Sequence, residues 1–278
     1  MVPIAVTHLF SKLDELLINC LRSCTIDDWK RPTLAKKWTI KDIAAHLLDG
    51  NLRSLSMGRD QYFGETPPAL ESYADLVAWL NELNADWVKA CQRISPSLLI
   101  SLLDCTGPAV TRHYQQLDLA APAVFGVAWA GEEQSANWFH LAREYTEKWH
   151  HQAQIRDALN QTAPLLSREF YHPFLQTMMR GLPHQYRHTD AAYGTTLQLI
   201  VGGAAGGHWF LQKTSDGWKL AENGISHTTL RLEPEIAWKL FTKGIRPEEM
   251  PLTSTKMINI EGDPDLARPA LNMIAVMA

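Results

Sequence analysis

Apolar positions in the first 160 residues recur at intervals of three and four, whereas those beyond residue 195 alternate with polar ones. The first spacing predicts amphipathic helices and the second predicts strands, so the chain reads as a helical part followed by a mixed α+β part. Leu9, Leu13, Leu16 and Leu17 share one stripe, with Thr7 placed to cap it. Thr39 followed by Asp42 three residues on is a variant of the capping box, and Ile40, Ile43, Leu47 and Leu48 form the apolar face behind it. A third helix is predicted over 71–94 from Leu76, Leu80, Leu83, Trp87 and Cys91. Pro96, Pro108 and Pro122 interrupt the pattern over 95–130, which predicts short helical pieces and loops overhanging a pocket. A fourth long helix is predicted over 132–160, and a further one over 164–179.

Strand-like alternation then marks Thr195-Thr-Leu-Gln-Leu-Ile-Val201, His208-Trp-Phe-Leu-Gln212, Trp218-Lys-Leu-Ala221 and Thr228-Thr-Leu-Arg-Leu232. Gly202-Gly-Ala-Ala-Gly-Gly207 lies between two of these and lacks the Lys-Ser/Thr ending of a phosphate loop, so it is read as a hairpin turn. A helix over 234–242, a strand over 257–260 and a terminal helix from Asp263 complete the pattern. The expected organisation is a four-helix bundle over 1–165 and a small α+β domain over 166–278.

The composition is that of a globular protein: of 278 residues, 46% are hydrophobic and 20% charged. A net charge of −4 with no basic run argues against a nucleic-acid partner. No apolar run reaches the length of a membrane span, and the first residues lack the pattern of a signal peptide, which predicts a cytoplasmic protein with no membrane partner. The four cysteines (Cys20, Cys24, Cys91 and Cys105) read as small hydrophobes in a reducing compartment.

Candidate chemistry gathers in Glu147-Lys-Trp-His-His151. Residues four apart share a helix face, so Glu147 and His151 converge on one point, and Gln154 lies on the same face as a supporting partner. His46, on the second helix, is a third candidate, although a core histidine bound to a carbonyl is the commoner arrangement. His150 points about 100° around the helix from His151, and on spacing alone either can be the ligand.

The segment Trp38-Thr-Ile-Lys-Asp-Ile-Ala-Ala-His46-Leu-Leu-Asp-Gly resembles the N-terminal signature of the mycothiol-dependent maleylpyruvate isomerase family of the DinB-like superfamily. Glu147-Lys-Trp-His-His151-Gln-Ala-Gln154 resembles its second signature. The strands, with Leu240-Phe-Thr-Lys-Gly-Ile-Arg246 and Ile260-Glu-Gly-Asp-Pro-Asp-Leu-Ala267, resemble its sterol-carrier-like second domain. The resemblance implies a DinB-like bundle binding a divalent metal, zinc or else nickel, through His46, Glu147 and His151. It further implies a low-molecular-weight thiol such as mycothiol, a small-molecule substrate of carboxylate type, and Arg246 as the group that anchors it. Gln154 stands where the signature often carries an acid.

Isomerisation or S-transfer with a metal-activated thiol is the activity expected. The alternatives are a metal-dependent hydrolase and a non-enzymatic binding module with a structural metal.

Overall fold

The computed structural model describes residues 2–69, 71–249 and 257–276. They fall into two compact units. One takes Ala5–Val124 and Glu147–Thr162; the other takes Phe125–Thr146 and Ala163–Val276 with the first residues to Ile4.

The helical unit contains α1 (Phe10–Arg22), α2 (Ile40–Arg53), α3 (Tyr73–Cys91), α4 (Pro96–Gln116) and the second half of α5 (Asn137–Ala158). Its core joins Leu17, Ile18, Leu21, Ile40, Ile43, Leu47, Leu99, Leu103 and Ile155, with Trp87 and Ile94 packed on the edge. The capping box forms as the sequence predicts: the Asp42 amide donates to Thr39 Oγ1, and the Thr39 amide donates to Asp42 Oδ2 at 2.9 Å. This fixes the start of α2, and thereby the phase at which His46 leaves the helix. Trp87 Nε1 donates to the carbonyl of Ala45 at 2.8 Å, tying α3 to α2 one residue before His46.

Four expectations need correction. Thr7 caps nothing; it opens a 3-10 turn, Thr7–Leu9, that leads into α1. The region 95–130 is broken only in its second part: α4 runs unbroken for 21 residues over Pro96–Gln116, and loop with a short 3-10 turn, Ala128–Ala130, follows. Pro96 sits in the first turn behind the Ser95 cap, where a missing N–H costs nothing. Pro108 lies inside the helix, and burial of Leu99, Leu103, Val110 and Tyr114 outweighs the hydrogen bond it removes. Finally, α5 starts at Asn137, and the helix expected over 164–179 divides into a 3-10 turn, Ala163–Leu166, and α6 (Arg168–Met179).

The second unit carries α6, α7 (Leu182–Gln185), α8 (Pro234–Phe241) and α9 (Pro264–Leu271) with a mixed sheet of five strands. The strands are β1 (Thr196–Val201), β2 (Gly207–Thr214), β3 (Gly217–Ala221), β4 (Thr228–Leu232) and β5 (Ile258–Glu261), in the order β3-β2-β1-β4-β5. Only β1 and β4 run parallel; the other pairs are antiparallel. The glycine-rich stretch closes the β1–β2 hairpin, with Val201 opposite Gly207. A side chain at Gly206 would run into the carbonyl of Val201, so the turn requires glycine there. Leu197, Leu199, Leu211 and Leu230 are buried on the sheet, as are Trp238 and Phe241 of α8. Tyr186 locks α9 by donating to the Leu266 carbonyl and accepting from the Ala270 amide.

Candidate metal centre

Four side chains of the helical unit meet where α2 faces the second half of α5. Nε2 of His151 lies 3.7 Å from Oε2 of Glu147, and Nδ1 of His150 lies 3.9 Å from the same oxygen. One ligand atom from each of Glu147, His150 and His151 falls within 4.8 Å of the other two. His46 arrives from α2, its ring centroid 4.6 Å from that of His151 in an edge-to-face arrangement. His46 Nδ1 is shielded from solvent and has no hydrogen-bond partner among the described residues. A buried ring nitrogen without a partner, beside two more imidazoles and a carboxylate, is a donor set that suits a divalent transition metal.

Protonation states agree with that fit. His151 is held down to about 3, first by burial and then by His150, with Glu147 and Gln154 opposing. His46 lies well below its ordinary value for the same leading reason, reinforced by His151, Arg53 and His150. Both rings are therefore neutral, as ligands must be. Gln154 Oε1 stands 2.9 Å from His151 Nδ1. An amide oxygen only accepts, so Nδ1 carries the proton and Nε2 keeps its lone pair on the Glu147 side.

Trp38 packs against both histidine rings, 4.9 Å from His46 and 6.2 Å from His151. The helical period did not reveal this neighbour, because Trp38 precedes the Thr39 cap and has no helical phase. Arg53, at the end of the helix that carries His46, is paired with Asp49 at 2.9 Å. Arg246 belongs to the other unit, exposed in the turn before Pro247 and past the end of α8. A buried pair outside the cluster escaped the sequence altogether: Lys148 Nζ donates to Asp14 Oδ1 at 2.5 Å across α5 and α1. Two charges 134 residues apart leave no local signal.

The family model described as "Mycothiol maleylpyruvate isomerase N-terminal domain" matches residues 10–156, more than half of the chain. The chain belongs to this family. Its fold is similar to the crystal structure of a mutant mycothiol-dependent maleylpyruvate isomerase, with a TM-score of 0.55 and 11% identity over 92% of this chain and 91% of that one. A second crystal structure of the mycothiol-dependent maleylpyruvate isomerase gives a TM-score of 0.52 and 12% identity, covering 84% of this chain and 86% of that one. At such identities the likeness is one of fold. No curated protein matches the chain. No helix among the described residues is long and apolar enough to cross a membrane.

Proposed function

We propose that this family member is a metal-dependent enzyme that uses a low-molecular-weight thiol such as mycothiol, for isomerisation of a small unsaturated carboxylate or for S-transfer. His46, Glu147 and His151 would hold the cation. The observation that carries the reading is the approach of Glu147 to neutral, buried His151, with the ring of His46, whose Nδ1 has no partner among the described residues, packed edge-to-face on that of His151. A divalent zinc-type cation, when bound, lowers the pKa of a coordinated thiol so that the thiolate exists near neutral pH.

The chain's own residues do the rest. Gln154 fixes the tautomer of His151, Trp38 covers the rings against water, and the Glu147 carboxylate offsets part of the cation's charge. Three of the protein's four thiols are poor substitutes for an added one, since burial pushes Cys20, Cys24 and Cys91 upward. We further assign Arg246 as the anchor for a substrate carboxylate, on the resemblance of its segment to the family's second domain.

The test is metal analysis of the purified protein beside folded His46→Ala and Glu147→Ala variants, followed by titration with mycothiol. Near-stoichiometric metal, lost in both variants, together with saturable thiol binding to the loaded protein alone, is the expected result. Metal that binds without thiol uptake would favour the hydrolase reading, and a folded protein that takes up no zinc or nickel would end the proposal.

A further inference from the structure

We propose that His150 is a fourth donor to the same cation, so that the resting centre is enclosed by four protein groups instead of three. The inference rests on the metal reading above and goes beyond it, because it changes what an incoming ligand meets.

Side chains of consecutive helical residues diverge by about 100° and do not ordinarily face each other. Here the rings of His150 and His151 close to 3.9 Å between centroids, tilted by 36°. Both turn toward one atom: Glu147 Oε2 lies 3.9 Å from His150 Nδ1 and 3.7 Å from His151 Nε2. Donors bound to zinc at roughly 2.0–2.2 Å stand about 3.4 Å apart in a tetrahedron. The two separations from Glu147 therefore need to contract by only a few tenths of an ångström, and the ligand atoms of all three residues lie within 4.8 Å of one another. His150 is also buried, at 3% exposure.

Three protein ligands leave a position for water or thiol, whereas four fill a tetrahedral shell. In this chain a thiol would compete with an imidazole, and His150 would set how readily the centre admits it.

The experiment uses the full chain loaded with zinc for X-ray absorption and with cobalt(II) for electronic spectra, comparing the wild type with His150→Ala and with His150→Phe. The phenylalanine variant keeps a ring in the buried space without a donor. We expect an imidazole count of three in the wild type and two in either variant, with zinc affinity reduced at least tenfold. The variants should also take up 2-mercaptoethanol, read as a sulfur-to-cobalt charge-transfer band, at lower concentration than the wild type. An unchanged imidazole count and affinity in both variants, with His46→Ala losing both, would overturn the fourth-ligand assignment and leave the three-ligand centre standing. A wild type that binds no cation would remove the metal reading itself.

Discussion

Gln154 holds His151 by its Nδ1 at 2.9 Å, and His151 itself stands one helical turn beyond Glu147. Support of this kind, behind a ligand, orients the ring and raises its basicity. We expect Gln154→Leu to fold normally and to bind zinc about 10- to 100-fold more weakly, measured by competition with a chromophoric chelator. Gln154→Glu should retain affinity, because a carboxylate accepts the same proton.

The Asp14–Lys148 pair predicts a stability effect independent of metal. Both side chains are mostly buried, and a side chain at Gly107 would press on the Asp14 carboxylate, which shows how closely α4 covers the pair. Asp14→Ala leaves the ammonium enclosed without its partner, at a cost of roughly 3–5 kcal/mol. Adding Lys148→Met to that variant should restore much of the loss. Urea unfolding of the two single variants and the double variant measures the coupling; simple additivity would contradict it.

Acid sensitivity of the metal-free protein follows from the two depressed histidines. Folded His151 titrates at about 3 and folded His46 well below its usual value, whereas both return to the ordinary value of 6.5 on unfolding. Below 6.5 the unfolded chain binds protons that the folded chain refuses, so stability is complete above that pH and is lost as the pH falls toward 3. Thermal melts across this window should show the decline, and His46→Asn with His151→Asn should flatten it.

Thiol reactivity separates one cysteine from three. Cys105 is exposed, while Cys24 is pushed up to about 11, first by burial and then by Cys20 and Asp28. Burial likewise raises Cys20 and Cys91. With a disulfide reagent at about pH 8 we expect a single fast phase, abolished by Cys105→Ser, and slow reaction of the remainder. A second fast thiol in the folded protein would contradict this.

Periodicity served the sequence reading well where one face of an element is buried. The stripe Ile40, Ile43, Leu47 located α2 and so placed His46, and alternation located four of the five strands to within a residue or two. It failed at α4, where Pro108 signals a break that long-range burial overrides. The i, i+4 rule put Glu147, His151 and Gln154 on one face of α5, as found. It set His150 apart, because a rule about Cα phase does not register how far two imidazoles swing toward a shared carboxylate. Trp38 and Asp14 were illegible for different reasons: Trp38 precedes the helix cap and has no helical phase, and Asp14 pairs with Lys148 across 134 residues of chain.

Helix α5 contributes Asn137–Thr146 to the sheet-bearing unit and Glu147–Ala158 to the helical one. Neither unit is therefore a continuous stretch of gene, and a recombination event near residue 125 or 163 carries fragments of both. During translation, α1 to α4 emerge ahead of the residues that complete their unit. Glu147, His150 and His151 leave the ribosome only after a segment belonging to the other unit has passed. Any cation taken by this cluster is thus captured only after more than half of the chain has been made, once the fifth helix has followed the first four.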